Sequence, residues 1–455
     1  MMSPLPLIAP IPFRTRSEPR IDVRALTSVL RDLGRVDRLH DLGTRGPLVG
    51  SAGARSLFHC LFGRDSIRMA MDLLDDFPAV ARATVLELAR LQGVRDNPRG
   101  DEEPGRILHE HREPEDPHAA RLALHWDFPY YGSVDSTPQW INLLVALCAR
   151  DGDEMLDSTF VDRLGRPRTV LDALQATLDW ILRRLDDPTG GGFLWVRRAT
   201  EQGIANQVWK DSSDSYYHED GTLFDVRRPY APVAVQGYAY DALVGAAELL
   251  AGVVPARSRA LRGRAARLRE RVLADFWLPE QGTFALALTF EVNGTVRPAR
   301  VVASCAGHLL ASRLLDGKDA APYRRALIAR FRQADLLAGA GVRTKAIGSA
   351  RFGPGTYHNG STWPMDTGVI ADGLRRHGAH EQADDLERRI LRGCAEIGGF
   401  PEFFRGEPDG SIGVNTTIVD VILDGRVNRL EQPPQADQGW TATRVWRILR
   451  RRGDI

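Results

Sequence analysis

Apolar residues recur at i, i+3, i+4 and i+7 along most of this chain, the spacing that lines one face of an α-helix. Segments that keep it predict helices near residues 23–34, 64–76, 79–92, 135–150, 168–185, 232–252, 256–275, 303–315, 320–336, 363–377, 379–396 and 438–451. They alternate between two kinds. Those starting near 79, 168, 256, 320 and 379 carry many Arg, Glu and Asp around an apolar stripe, as in RSRALRGRAARLRERVLADF, and suit a solvent-facing layer. Those near 64, 135, 232, 303, 363 and 438 are smaller and more apolar, as in PVAVQGYAYDALVGAAELLAG, and suit a buried ring. Successive starts of the second set are spaced by roughly 71, 97, 71, 60 and 75 residues, a repeat of outer and inner helices. With the helix near 23 as first outer member, six pairs result. The pattern predicts an all-α fold, a toroid barrel of about twelve helices, with an open solenoid of helical hairpins as the alternative. Short β segments are expected in the long loops, at GGGFLWVRR and GTFALAL. The expected organisation is an N-terminal extension over 1–22 and a single barrel over 23–455.

Composition narrows the function. The chain has 60 basic and 59 acidic residues, a net charge of +1, so no overall field attracts a polyanion, and no nucleic-acid partner is expected. Arg supplies nearly all the positive charge; the lysines are Lys210, Lys318 and Lys345. Cys60, Cys148, Cys305 and Cys394 lack the paired spacing of a metal site or a disulfide framework, and read as buried thiols in a reducing compartment. The N-terminal apolar stretch is interrupted by Pro4, Pro6, Pro10 and Pro12, which makes a poor signal peptide, and no apolar run is long enough for a membrane span. A cytoplasmic protein without membrane contact, metal or cofactor is expected.

The candidate chemistry lies in the loops before the inner helices: LFGRDS, PYYGSVDS, NQVWKDSSDSYYHEDG, VVASCAGH, TYHNGSTWP and PQADQGW. Inner helices of such a ring run parallel, so these loops share one rim. Trp126, Tyr131, Trp209, Tyr357 and Trp363 offer flat faces to a pyranose, and Arg64, Asp65, Lys210, Gln236 and Asn359 offer partners for hydroxyls. An isolated Trp beside Pro is commonly a core residue. The recurrence of aromatic and polar residues at one position of the repeat is what points to a sugar site.

The blocks FGRDS, YYGSVDSTP, NQVWKDSSDS with HEDG, VQGYAY, YHNGSTWP and PEFF resemble, in order over about residues 57–442, the signatures of the amylo-α-1,6-glucosidase (glycogen-debranching glucosidase) family. That family is similar to glucoamylases and trehalases in having an (α/α)6 barrel. The resemblance implies an inverting, exo-acting glycoside hydrolase that releases glucose from an α-1,6 linkage or a small α-glucoside, with an oligosaccharide or small glucoside as partner. The alternatives are hydrolysis of a trehalose-, sucrose- or glucosylglycerate-like substrate, or a non-catalytic carbohydrate-binding barrel. By the same resemblance Asp211, in a W-x-D element, is the general acid, with Asp214 as the alternative, and Glu402 in FPEFF is the general base. Their loops precede the third and sixth inner helices, on opposite sides of the ring, which leaves room for a water and predicts inversion. Arg64 and Asp65 are expected to hold the sugar hydroxyls, Asp135 and Gln236 to add polar contacts, and His358, Asn359 and Trp363 to line the facing wall. The chain departs from the family pattern at Val208 and Ser213, and at Ser304–Cys305–Ala306. It also lacks the length for a β-sandwich or glucanotransferase domain.

Overall fold

The computed structural model describes residues 19–33, 50–52, 56, 58–116, 118–290, 295–415, 418–423, 426–431 and 434–455. The expected extension over 1–22 lies almost wholly outside them. The helices are α1 (Val23–Leu33), α2 (Gly63–Leu73), α3 (Pro78–Arg90), α4 (Ala119–Leu122), α5 (Ser136–Asp151), α6 (Val170–Asp186), α7 (Val233–Leu249), α8 (Pro255–Asp275), α9 (His308–Ala311), α10 (Ala321–Arg330), α11 (Pro364–Arg376), α12 (His380–Ile397) and α13 (Gly439–Arg452).

The inner ring is closed. Helix α2 packs on α5, α5 on α7, α7 on α9, α9 on α11, α11 on α13 and α13 back on α2. That last contact excludes the open solenoid, and the architecture is an (α/α)6 barrel. Outside it, α1 covers α13, α3 covers α2 and α5, α6 covers α5, α8 covers α7 and α12 covers α11. A buried ionic staple ties the closure. Arg444 of α13 reaches Asp72 of α2 at 2.7 Å and Asp372 of α11 at 2.6 Å. Burial alone would raise the Asp372 carboxyl, but Arg444, Arg447 and Arg451 hold it down at about 2.

The fourth inner element departs from the expected helix over 303–315. It consists of a 3-10 turn Ser304–Gly307, the single turn α9 and a second 3-10 turn Arg313–Leu315. Ser312 breaks it: its backbone is extended, and its hydroxyl accepts from Leu314 N–H at 3.1 Å and donates to Asp241 at 3.0 Å. The hydroxyl thus offers the chain an alternative to the helical ladder. The outer helix expected over 320–336 stops at Arg330. Of the expected β segments, GTFALAL holds Thr283–Phe284 and part of Ala287–Phe290, whereas GGGFLWVRR holds only a bridge from Val196 to Tyr230. Among the described residues no helix is long and apolar enough to cross a membrane. The four cysteines are buried thiols.

Candidate active site

At the rim from which the inner helices start lies a cavity of about 310 Å³, at the lower end of the range for small-molecule sites. Local backbone pairing fixes its floor. Leu61–Phe62 pairs with Glu110–His111, and Gly63 N–H donates to His109 O at 2.9 Å. A Cβ at Gly63 would lie 2.0 Å from Leu108 O, so α2 can begin there only with glycine. Across the ring Glu402 N–H donates to Gln435 O at 2.9 Å, Gln438 N–H to Phe400 O at 2.9 Å, and Gly439 N–H to Ser51 O at 2.7 Å. These bonds bring Arg64 and Asp65 of α2 beside Glu402, Gln438 and Trp440.

Arg64 is buried at the centre of the acidic groups, 3.5 Å from Asp65, 3.6 Å from Asp135 and 3.6 Å from Asp211. Asp135 occupies the capping position of α5 but makes no capping bond. Its carboxylate instead accepts from Trp209 N–H at 2.8 Å and from the Ser133 hydroxyl at 2.6 Å. One side chain therefore aligns both Arg64 and the acid-bearing loop.

Asp211 keeps 29% of its side chain exposed and lines the cavity, so its seclusion is that of depth in a cleft. Its carboxyl rises to about 7: desolvation is the main cause, Arg64 opposes it, and the like charges of Asp65 and Asp135 add to it. Glu402 is also buried and rises to about 7, again through desolvation first. It accepts hydrogen bonds from the Tyr357 hydroxyl at 2.6 Å and from Gln435 N–H at 3.4 Å, whereas Asp211 faces Arg64 at 3.6 Å and is bonded by its own backbone N–H.

The walls are aromatic. Trp126 stacks on Tyr130 with centroids 4.6 Å apart, and Trp363 stacks on Phe403 at 5.3 Å with its indole N–H bound to Tyr357 O and the Ser361 hydroxyl. The indole N–H groups of Trp126, Trp209 and Trp440 and the side-chain oxygens of Gln435 and Gln438 are buried without a hydrogen-bond partner among the described residues. Each such group costs about 1–3 kcal/mol when left unpaired. Five such groups around one cavity leave hydrogen-bonding capacity there for a polar ligand.

Of the residues singled out in the sequence, Arg64, Asp65, Trp126, Trp209, Asp211, Tyr357, Trp363 and Glu402 line this cavity. Tyr131, Asp135, Lys210, Asp214, Gln236, His358 and Asn359 do not. The Tyr131 hydroxyl donates to Leu91 O at 2.6 Å and accepts from Arg163. Gln236 accepts from Leu194 N–H and donates to Leu194 O and Pro232 O, clamping backbone. Lys210 donates to the Ser304 hydroxyl and Thr344 O. Asn359 donates to the backbone and carboxylate of Asp214, and His358 faces the Ser212 hydroxyl at 2.9 Å. Burial and the neighbouring cations keep His358 neutral.

Ser51, Phe58, Phe62, His109, Glu110, Leu122, Ile204, Gln435, Gln438 and Trp440 complete the cavity; none had been singled out individually, although Phe62, Gln435, Gln438 and Trp440 lie in the LFGRDS and PQADQGW loops. A signal for some of them exists in the repeat. Gly63 and Gly439 are the first residues of α2 and α13, and in each case the residues on either side, Phe62 with Arg64 and Gln438 with Trp440, face the cavity. Among the described residues no group of three or more His, Cys, Asp or Glu is arranged to hold a metal ion.

A model for the mannosylglycerate hydrolase MGH1-like glycoside hydrolase domain matches residues 130–412. The chain belongs to this glycoside hydrolase family. A mannosylglycerate hydrolase of Rubrobacter radiotolerans is 28% identical over 216 residues, 44% of this chain and 46% of that relative, so the alignment spans less than half the relative's length. The structure of a GH63 mannosylglycerate hydrolase from Thermus thermophilus in complex with Tris and D-glycerate superposes with a TM-score of 0.61 at 15% identity, over 93% of this chain and 98% of that one. The structure in complex with glucose gives 0.57 at 16% identity over 93% and 99%. At such identities the likeness is one of fold. The expected glycoside hydrolase family membership holds at the coarser level, but the family matched is the MGH1-like glycoside hydrolase domain and not the debranching glucosidases, and glycogen debranching is not supported. Residues of the blocks behind that expectation, among them Arg64, Asp65, Asp211, Tyr357, Trp363 and Glu402, line the cavity.

Proposed function

We propose that this hydrolase cleaves a small α-glycoside of the hexosylglycerate class, releasing one hexose with inversion, with Asp211 as general acid and Glu402 as general base. The observation that carries this reading is the pair of carboxyls raised to about 7 at one small cavity, with different partners. Such a reaction needs one carboxyl still protonated near neutral pH and one ionised. Hydrogen bonds from neutral donors favour the ionised form, and Glu402 has them from Tyr357 and Gln435. Burial raises Asp211 to about 7, with Arg64 opposing and Asp65 and Asp135 adding, so a protonated fraction persists near neutral pH, as a proton donor requires. Asp214 is spent on Asn359 and does not line the cavity, which favours Asp211 over it. The cavity volume suits a disaccharide-sized substrate rather than a glycan branch.

The test is turnover on a panel holding α-mannosyl- and α-glucosylglycerate, their neutral glycerol counterparts, trehalose, sucrose and an α-1,6 glucan. The neutral counterparts are included because Arg64 is the one arginine or lysine among the described lining residues. Hydrolysis of a glycerate substrate, with Asp211→Asn and Glu402→Gln each slowed about 100-fold or more, is expected. Undiminished turnover in either variant would overturn its role, and activity confined to the glucan would overturn the substrate class. Anomer-resolved NMR of the first product reads the stereochemistry.

A further inference from the structure

Lys210 and Lys345 are fully buried, while the third lysine, Lys318, is exposed. In a chain that otherwise uses Arg, two enclosed ammonium groups stand out, because a compact charge with three donors fits where a planar fork does not. Neither lines the cavity. Lys210 Nζ donates to the Ser304 hydroxyl at 2.6 Å and Thr344 O at 2.9 Å, and lies 4.5 Å from the centroid of the Trp209 ring. Lys345 Nζ donates to Ser215 O at 2.9 Å and His358 O at 3.3 Å. The two lysines therefore join the segment that carries Asp211 to the loops before α9 and α11. Beneath them Asp366, held down by Lys210 and His308 against its burial, supplies a counter-charge. His308 Nε2–H donates to Asp366 at 2.6 Å, its Nδ1 accepts from the Tyr238 hydroxyl, and its ring stacks under Trp209 with planes 7° apart. Burial and the charge of Lys210 push Lys345 down to about 7, as expected for an ammonium enclosed by protein.

We infer that Lys210 and Lys345 are positioning residues that fasten the segment from Trp209 to Ser215 from below, keeping Asp211 aimed at the glycosidic oxygen. The inference rests on the reading of Asp211 as general acid. Its consequence depends on the leaving group. An alkoxide leaves only if Asp211 delivers a proton as the C–O bond breaks. Fluoride leaves from an α-glycosyl fluoride without one, while water attacks the same carbon and gives its proton to Glu402.

The experiment compares kcat and KM of the wild type, Lys210→Met and Ser304→Ala on the active hexosylglycerate and on the matching α-glycosyl fluoride. In Lys210→Met, kcat on the glycerate falls about 100-fold, as for a misplaced catalytic group, with KM little changed. Turnover of the fluoride falls far less. Ser304→Ala, which leaves Lys210 bound to Thr344 O, shows a smaller loss with the same dependence on leaving group and decides the matter if Lys210→Met does not fold. Equal losses on both substrates would overturn the inference and leave the hydrolase reading intact. A wild type that hydrolyses the fluoride but no glycoside would overturn the acid reading, and this inference with it.

Discussion

The hydroxyl of Tyr357 is the most direct control on the proposed base. Replacing Tyr357 with Phe removes one oxygen, 2.6 Å from Glu402 Oε1, and leaves the ring packed against Trp363 at 4.9 Å and Phe403 at 5.3 Å. A hydrogen bond to a charged group is worth about 1.5–3 kcal/mol. At 1.36 kcal/mol per pH unit its loss moves the Glu402 carboxyl up by roughly one to two units from about 7. The sign follows from the role: the base works ionised, and the lost donor favoured the ionised form. The acid limb of kcat/KM against pH therefore shifts upward, and well below neutrality turnover falls roughly 10- to 100-fold. The alkaline limb, set by Asp211, stays in place. The assay is kcat/KM from pH 4.5 to 9 for wild type and Tyr357→Phe, repeated in a Glu402→Gln background, where the second substitution changes nothing further. An acid limb that stays put while the whole profile drops evenly would refute the reasoning and make Tyr357 a substrate contact.

Two further outcomes concern stability. The folded Glu402 carboxyl lies near 7 against an ordinary 4.5, so the native state binds the proton more tightly, and stability is lost as pH rises through that window. Glu402→Gln then raises the free energy of unfolding at pH 8 by about 3 kcal/mol and leaves it unchanged at pH 4; the same change at both pH values would contradict the shift. Gly63→Ala forces a methyl to within 2.0 Å of Leu108 O and costs about 1–3 kcal/mol. Because Arg64 and Asp65 follow directly, KM for the sugar rises in the same variant, and a thermal melt and KM at wild-type values would show that α2 can shift without consequence.

The helices were legible because long amphipathic periods survive any tertiary context, and ring order followed from their alternation. The fourth inner element was not, because the hydroxyl of Ser312 redirects the backbone through Asp241, a partner 71 residues away. In the site, the division between lining and supporting residues was hidden. Lys210 sits between Trp209 and Asp211 but bonds to Ser304 and Thr344, and Gln236, in its own motif, bonds to Leu194, all from elements distant in sequence. Which way a polar side chain turns is decided by those partners, and a motif does not contain them. Glu110 belongs to a two-residue strand, Glu110–His111, too short to carry a period, and His109 directly precedes it.

The same division bears on why the sequence spoke more clearly of hydrolysis than of substrate. Trp209, Asp211 and Trp363 lie in the polar loops that recur before inner helices, and Glu402 lies in the FPEFF block that the family resemblance brings out. The partly exposed side of the cavity is built otherwise. Phe58, Leu122, Trp126 and Ile204 come from connections between repeats, where neither period nor motif constrains the residue. A barrel of this kind can therefore keep the carboxyls proposed as acid and base, and the loops that hold them, while the surface around them changes. A resemblance carried by the rim blocks then transfers the reaction between families more securely than it transfers the aglycone.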